Sequence, residues 1–239
     1  MRNYFKNKMK DRLSYCHDWK NSVDIYLANK KITKQPSRTK VTKVLPDASV
    51  INSTLYVILE VNSAEEIELR VDANGAFAPE EALDKLQRLS ELDLHSIEQP
   101  IKQGQYQEMT KLCKETPLPI ALDEELIGVF SVTKKEELLQ TIQPQYIILK
   151  PSLIGGFKGT QEWIDLAEKQ NIGWWITSAL ESNIGLNAIS QFTFMQNSNM
   201  PQGLGTGSLY TNNIESPLMV KGEYITYAPK KTWDVNSIL

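Results

Sequence analysis

Six positions recur at nearly equal intervals along the C-terminal part of this sequence. Each ends a short apolar segment, and neighbouring positions are 25 to 28 residues apart: Asp72, Glu98, Asp123, Lys150, Ser178 and Gly205. Three carboxylates brought to one place repel each other unless they are protonated or share a cation. Because the set contains no His or Cys, its oxygen ligands favour Mg²⁺, with Mn²⁺ as a substitute. The regular spacing argues against three unrelated surface acids and predicts a metal site at Asp72, Glu98 and Asp123.

Lys150 follows the apolar segment Tyr146–Leu149, and we expect its positive charge to point at the same site. In that position the ammonium group can stabilise an anion or move a proton. Residues at or beside the recurring positions are candidates for binding a substrate: Arg70, Asn74, Ser178, Glu181 and Gly205. Arg70 and Asn74 lie two residues from Asp72 and share its strand face. An arginine there favours an anionic partner, either an internal acid or the carboxylate of a substrate.

The interval between these positions predicts repeated strand–helix units. Apolar patterns and turn signals indicate strands at 67–72, 95–100, 119–125, 146–150, 173–179 and 202–207, with helices between them. Such units build a parallel sheet with right-handed crossovers. In a closed barrel every strand end reaches one mouth, whereas a doubly wound open sheet uses a single switch point. A polar residue on each strand end therefore favours an α/β fold with a partial TIM-type (β/α) barrel, of which about six strands are visible.

Residues 1–60 differ in composition from the rest of the chain. They hold 12 Lys and Arg against 5 Asp and Glu, whereas residues 61–239 hold 14 against 24. All 12 glycines also lie after residue 60. We therefore divide the chain into an atypical basic N-terminal segment, 1–60, and a barrel domain, 61–239. The segment is expected to be disordered or mis-translated, and a basic arm for nucleic acid or an anionic surface is the alternative.

The overall composition excludes several classes of protein. With 41% apolar residues, 12 Gly and 11 Pro, the chain is neither collagen-like nor of low complexity. Apolar runs are far shorter than the ~18 residues that a membrane span needs, and no secretory signal is expected. Two cysteines do not form a disulfide framework, which favours a cytoplasmic location. The net charge of -3 gives no reason to expect a nucleic-acid partner, and the oligomeric state stays open.

Four short motifs at the strand ends resemble those of the enolase superfamily, muconate-lactonizing subgroup. They are Arg70–Gly75, Ile97–Pro100, Leu122–Glu124 and Leu149–Ser152. Within that subgroup, two further segments resemble the o-succinylbenzoate synthases, a family of menaquinone biosynthesis: Ile176–Ser182 and Gly203–Gly207. The resemblance covers residues 64–239 and implies that 61–239 is an enolase-type C-terminal barrel domain.

The resemblance implies a Mg²⁺-dependent lyase. Asp72, Glu98 and Asp123 are the implied metal ligands, and a small carboxylate, 2-succinyl-6-hydroxy-2,4-cyclohexadiene-1-carboxylate, is the implied substrate. A base removes the proton next to the carboxylate, the metal stabilises the enediolate, and loss of hydroxide leaves o-succinylbenzoate. Lys150 is implied to face the ring as a cation. An N-acylamino acid racemase or a cycloisomerase of the same superfamily is the alternative activity.

One element of the resemblance is missing from the sequence. The superfamily base belongs to a Lys-x-Lys pair on the strand before Asp72, which corresponds to residues 41–46 here. Lys40 and Lys43 are three residues apart, so on a strand they face opposite ways. Residues 1–60 also have no room for the domain that caps the barrel mouth in this family. Three interpretations stay open. The chain is a catalytically inactive truncated fragment, or residues 1–60 build a degenerate first part of the barrel with Lys43 as a substitute base, or the chain is a non-catalytic module that binds Mg²⁺ or a carboxylate ligand.

Overall fold

The computed structural model of the protein describes residues 24–29, 67–204, 210–221 and 224–233. Eight strands occur among these residues: β1 (Asp24–Asn29), β2 (Ile67–Asp72), β3 (Ser96–Glu98), β4 (Ile120–Leu122), β5 (Tyr146–Leu149), β6 (Gly173–Ile176), β7 (Leu218–Lys221) and β8 (Tyr224–Tyr227). The same residues contain five α-helices: α1 (Pro79–Ser90), α2 (Tyr106–Glu115), α3 (Val132–Ile142), α4 (Gly156–Lys169) and α5 (Asn183–Met195). A short 3₁₀ helix, Glu124–Leu126, follows β4.

Strands β1 to β6 form one sheet in which sequence neighbours are also spatial neighbours. Strands β2 to β6 run parallel, and an α-helix lies between each strand and the next. Strand β1 runs antiparallel to β2, with Asp24 opposite Asp72. Strands β7 and β8 form a separate antiparallel pair. The predicted α/β class with parallel strand–helix units is therefore confirmed.

Several strands are shorter than the sequence predicts. Strands β3 and β4 each cover three residues, although the sequence predicts strands at 95–100 and 119–125. Of the predicted strand 202–207, the described residues form a single parallel bridge, between Thr177 and Gly203. Residues 205–207 lie outside the described part of the chain. Strand β3 ends where Gln99 adopts a positive φ, and β4 ends shortly before the 3₁₀ helix Glu124–Leu126 begins.

Strand β1 lies within the basic segment 1–60. Its six residues pair with β2 along the whole of that strand, from Asn29 opposite Ile67 to Asp24 opposite Asp72. The remaining residues of the segment, including Lys40 and Lys43, lie outside the described part of the chain. The division at residue 60 and the expectation of disorder or mis-translation stay predictions.

The sheet has two differently packed faces. One face packs against the helices and forms the main core, which includes Ile97, Leu122, Leu139, Leu149 and Trp163. The opposite face carries a smaller cluster of buried side chains: Ala121, Ile148 and Trp175. Burying a Leu or Ile side chain contributes roughly 1.5–3 kcal/mol, so the helix-facing side stabilises the layer arrangement. Since strand residues alternate between faces, Asp72 and Glu98 at the ends of β2 and β3 lie on the side of the smaller cluster, as do Asp123 and Lys150, which directly follow β4 and β5.

Local sequence signals explain several helix ends. Helix α1 begins with Pro79, whose fixed φ suits a first helical position, and Glu80 and Glu81 follow in its first turn. Helix α3 ends at Ile142, and the next residue, Gln143, adopts the left-handed conformation common at helix C-termini. Among the helices described, none has both the length and the apolar composition to cross a membrane.

Candidate active site

Four charged residues meet at the carboxyl end of the parallel strands. Asp72 and Glu98 are the last residues of β2 and β3, while Asp123 and Lys150 directly follow β4 and β5. The three acids are 5%, 7% and 2% exposed, respectively. Parallel strand–helix folds place reacting groups at this edge because all strand ends reach it. The structure thus places these four residues at one edge of the sheet, as their spacing in the sequence predicts.

Lys150 connects two of the acids. Its Nζ donates a hydrogen bond to Asp123 Oδ2 and lies 3.7 Å from Glu98 Oε1. Burial by itself would lower the pKa of Lys150, but the negative charges of Asp123 and Glu98 outweigh burial and hold that pKa above its ordinary value. Lys150 is therefore a fixed positive charge at the strand ends.

The acids repel each other despite this lysine. Burial raises the pKa of Glu98 well above its ordinary value, and the charges of Asp72 and Asp123 raise it further. Among the described residues, no group of three or more His, Cys, Asp and Glu side chains is arranged to hold a metal ion. The three acids nevertheless offer hard carboxylate oxygens, and their negative charges outnumber the single positive charge of Lys150. These are the ligands that suit Mg²⁺ or Mn²⁺.

Asn74 forms hydrogen bonds with two acids at this edge of the sheet, Asp72 and Glu124. Its backbone N–H donates to Asp72 Oδ1 at 2.7 Å, and its side-chain Nδ2 donates to Glu124 Oε1 at 3.1 Å. Burial, followed by the charge of Asp123, raises the pKa of Glu124. The sequence predicted Asn74 on the face of Asp72, and the structure adds Glu124 as its partner.

Arg70 lies two residues before the end of β2, on the same face as Asp72. Its guanidinium carbon is 4.0 Å from the centroid of the Trp175 ring, and Nη1 donates to the Pro201 carbonyl at 3.4 Å. Arg70 is 6% exposed, so the contact with Trp175 is a desolvated cation–π interaction. This stacking was not predicted, since the sequence indicated only an anionic partner.

Two other predicted binding residues, Ser178 and Glu181, lie in the loop after β6. The Ser178 backbone N–H donates to the Gly203 carbonyl at 3.1 Å, and Ser178 is 4% exposed. The Ser152 hydroxyl donates to Glu181 Oε1 at 2.5 Å, which ties the loop after β5 to the loop after β6. Gly205 lies outside the described residues, so its predicted role stays a prediction.

Gln99 is a residue of this edge that the sequence analysis did not single out. It is 1% exposed and adopts a left-handed conformation with φ 38°. Its Oε1 accepts the backbone N–H of Asp123 at 3.2 Å, and its Nε2 donates to the Ile101 carbonyl at 3.0 Å. A residue other than glycine held in this region costs about 1–3 kcal/mol and persists only where surrounding contacts impose it.

Glu125 is a second residue that the sequence analysis missed. Both of its carboxylate oxygens accept the Gly104 backbone N–H, at 3.1 and 3.0 Å, and Glu125 is 3% exposed. Burial raises the pKa of Glu125, although hydrogen bonds from Gly104 and Gln99 partly oppose the rise. Neither Gln99 nor Glu125 lies on the recurring interval, and only their proximity in sequence to Glu98 and Asp123, one and two residues after them, could have drawn attention to them.

Comparison with known proteins places the chain in a family. The family described as Enolase C-terminal domain-like matches residues 40–231. An o-succinylbenzoate synthase from Desulfotalea psychrophila is 58% identical over 165 residues, which cover 69% of this chain and 45% of that protein. An N-succinylamino acid racemase from Thermus thermophilus is 35% identical over 120 residues, covering 50% of this chain and 31% of the relative.

Solved structures agree with these sequence relatives. The crystal structure of MenC from Desulfotalea psychrophila LSv54 has a TM-score of 0.64 and 59% sequence identity to this chain. The matched region covers 66% of this chain and 44% of that structure. This chain thus spans less than half the length of these two curated relatives, 45% of the synthase and 31% of the racemase.

Proposed function

The chain belongs to the enolase C-terminal domain-like family, and on that premise we propose that its strand ends form the metal-binding side of a lyase active site. The proposed reaction is dehydration of 2-succinyl-6-hydroxy-2,4-cyclohexadiene-1-carboxylate to o-succinylbenzoate, a step of menaquinone biosynthesis. The observation that carries the proposal is the contact of the Lys150 ammonium with Asp123 and its approach to Glu98, at the edge where all parallel strands end. The relative at 58% identity, which is an o-succinylbenzoate synthase, supports it.

The proposed metal ligands are Asp72, Glu98 and Asp123. Burial, together with the negative charges of Asp72 and Asp123, raises the pKa of Glu98. A divalent cation shared between the three acids would relieve this repulsion. Mg²⁺ is the proposed ion and Mn²⁺ a substitute, because both prefer carboxylate oxygens. When bound, such an ion would neutralise negative charge that develops on the substrate carboxylate during proton removal.

The residues of this chain have distinct proposed roles in that reaction. Lys150 supplies a fixed positive charge that faces the substrate ring, where charge develops as the ring loses its proton and its hydroxyl group. Asn74 orients Asp72 through its backbone N–H. The residues proposed to contact the substrate are Arg70, Asn74, Ser178, Glu181 and Gly205. Dehydration requires a base that takes one proton from carbon, and this proton leaves together with the hydroxide from the ring as one water molecule.

The base is proposed to come from the part of the protein that precedes β2. Lys43 is the candidate within this chain, because the superfamily base lies on the strand before the one that carries Asp72. The proposed enzyme is cytoplasmic, acts on a small carboxylate, and requires neither nucleic acid nor a membrane.

Racemisation of an N-acylamino acid is the second candidate activity. The Thermus thermophilus relative, at 35% identity, is an N-succinylamino acid racemase and favours this alternative. Racemisation requires two bases on opposite faces of the substrate, and Lys150 would then be one of them. The absence of a Lys-x-Lys pair at residues 41–46 weighs against both activities and supports the third candidate, a catalytically inactive fragment.

The test is a product assay on the purified full chain. The cyclohexadiene substrate is supplied with Mg²⁺, and o-succinylbenzoate is followed by its ultraviolet absorbance. In parallel, N-succinylamino acids are incubated in D₂O and α-proton exchange is followed by NMR. We expect dehydration without α-proton exchange. The variant Asp123→Asn should lose the dehydration activity, whereas Asp165→Asn, on the exposed face of α4, should retain it. Exchange alone would establish the racemase, and neither activity from folded protein would overturn the proposed lyase.

A further inference from the structure

We propose that Gln99 is a positioning residue that sets the mutual placement of the three strand ends carrying Asp72, Glu98 and Asp123. The inference rests on the proposed function, because its consequence is the affinity of this edge for a divalent cation. Gln99 directly follows Glu98 and lies between the loops after β2 and β4.

Hydrogen bonds from Gln99 reach both neighbouring strand ends. On one side, its carbonyl accepts the Gly75 backbone N–H at 2.6 Å, three residues beyond Asp72. On the other side, its N–H donates to the Ala121 carbonyl at 2.9 Å, and its Oε1 accepts the Asp123 N–H at 3.2 Å. The main chain and side chain of one buried residue thus join the ends of β2, β3 and β4.

The orientation of the Gln99 amide is fixed by its surroundings. Its Nε2 donates to the Ile101 carbonyl at 3.0 Å and lies 3.4 Å from Glu125 Oε1, so two acceptors face the amide nitrogen. The opposite oxygen must then point at the Asp123 N–H, which is a donor. Glu125 is itself held by the Gly104 N–H. In a flipped amide, the oxygen would face the Ile101 carbonyl and the Glu125 carboxylate, and the NH₂ group would face the Asp123 N–H. The flipped orientation is therefore excluded.

The backbone of Gln99 shows that these contacts act against a local preference. A residue before proline favours extended conformations, yet Gln99 precedes Pro100 and has φ 38°. The contacts with Asp123, Ile101 and Ala121 hold it there. If the side-chain contacts are removed, the turn after Glu98 can relax, and Glu98 then moves relative to Asp123.

Such a movement matters for a metal site more than for the fold. Mg²⁺ requires near-ideal octahedral ligand positions at about 2.0–2.1 Å, so small displacements of a carboxylate reduce its affinity. Loss of groups that orient metal ligands typically lowers metal affinity about 10–100-fold. If Gln99 has a positioning role, a Gln99 variant should lose more cation affinity than a variant away from the acids that lowers the stability of the fold by a similar amount.

Gln145 offers a matched control, because it binds the start of β4, whereas Gln99 binds Asp123 directly after the end of β4. Its Oε1 accepts the Ile120 N–H at 2.9 Å, and its Nε2 donates to the Cys113 carbonyl at 2.9 Å. Like Gln99, it uses both amide atoms to bind the main chain around β4. The variants Gln99→Met and Gln145→Met therefore remove comparable hydrogen bonds, one at the edge with the acids and one away from it.

The experiment measures Mn²⁺ binding to the full chain by electron paramagnetic resonance, together with thermal unfolding without metal. We expect Gln99→Met to weaken Mn²⁺ binding at least about 10-fold and Gln145→Met to leave it within about twofold. Gln99→Gly, which suits a positive φ, should fold at least as readily as Gln99→Met and should also lose affinity.

Equal Mn²⁺ affinities in wild type, Gln99→Met and Gln99→Gly would overturn the positioning role and leave the proposed metal site intact. Equal losses in the Gln99 and Gln145 variants would also overturn it, because the effect would follow stability alone. No saturable Mn²⁺ binding by the folded wild-type chain would overturn the proposed metal site and the inference together.

Discussion

Lys150 and Asp123, 27 residues apart in sequence, form an ion pair across the ends of two neighbouring parallel strands. Asp123 is 2% exposed, and Lys150 also lies 3.7 Å from Glu98. The lysine therefore compensates charge on two buried acids at once. Buried carboxylates that lose their cation keep the cost of desolvation without the compensating attraction.

The first prediction concerns the stability that this lysine provides. Lys150→Met should lower the free energy of unfolding at pH 7, without metal, by about 2–3 kcal/mol, because two buried acids lose their cation. Addition of Mg²⁺ should restore part of the loss, since a divalent cation can replace the missing charge. Urea unfolding followed by circular dichroism measures both effects.

Lys169→Met is the control for that prediction. Lys169 Nζ is 2.9 Å from Glu136 Oε1, but the side chains are 69% and 33% exposed. An exposed pair contributes at most about 1 kcal/mol. Equal, small losses for Lys150→Met and Lys169→Met would show that Lys150 does not compensate buried charge.

The second prediction concerns Gly159 in α4. A Cβ atom at this position would collide with the Ile154 carbonyl oxygen, and it would lie 3.4 Å from Lys135 Nζ. Alanine usually stabilises a helix relative to glycine by about 1 kcal/mol, but the collision with backbone should reverse the sign. We expect Gly159→Ala to lower the free energy of unfolding by about 1–3 kcal/mol.

Gly185→Ala in α5 provides the comparison for Gly159. There the nearest atoms to an added Cβ belong to the Glu181 side chain, at 3.0 and 3.1 Å, and no backbone atom is among them. We expect a smaller loss for Gly185→Ala in the same urea titration. A stabilised Gly159→Ala variant would contradict the close approach of α4 to the loop after β5.

The third prediction concerns the thiol of Cys113. Burial, together with the negative charge of Glu125, raises the pKa of this thiol to about 12. At pH 8 the thiolate fraction is then about a thousandfold smaller than for an ordinary thiol with a pKa of about 8.5. In a Cys16→Ser background, we expect a disulfide reagent to react with Cys113 rapidly in urea and extremely slowly without it.

The raised pKa of Cys113 also sets the sign of a pH effect. Because the unfolded thiol ionises at lower pH, the stability that the buried thiol confers is complete below about pH 8.5 and is lost as pH rises toward 12. The free energy of unfolding should therefore fall more steeply between pH 8 and 10 in the parent than in Cys113→Ala. Parallel pH profiles for the two proteins would contradict a buried neutral thiol.

The sequence allowed the strand ends to be predicted because two periodic signals coincide there. The alternation of residues such as Arg70 and Asp72 predicts which side chains share a face of the strand. The repeated interval predicts that consecutive strands lie next to each other in the sheet. The structure places Asp72, Glu98, Asp123 and Lys150 accordingly. Strands β3 and β4 are shorter than the sequence predicts, because the positive φ of Gln99 and the 3₁₀ helix Glu124–Leu126 end the strand pairing early.

Other features depend on contacts between distant segments and have no local signal. The role of Gln99 requires a positive φ directly before Pro100, which the local preference disfavours, so only the fold imposes it. Strand β1 was not predicted, because its residues lie in a segment with little periodicity, and its pairing with β2 is long-range. The stacking of Arg70 on Trp175 joins β2 to β6, which no spacing rule connects.

The central claim is that the strand-end acids of this chain hold a divalent cation, and Mn²⁺ binding measured by electron paramagnetic resonance tests it most directly. Wild type should bind one Mn²⁺ per chain, competed by Mg²⁺. Asp123→Asn should lose this binding, whereas Asp165→Asn, whose Oδ1 accepts only a surface hydrogen bond from Gln161 among the contacts described, should retain it. Equal Mn²⁺ affinity in wild type and Asp123→Asn, or no binding by folded wild type, would contradict the account.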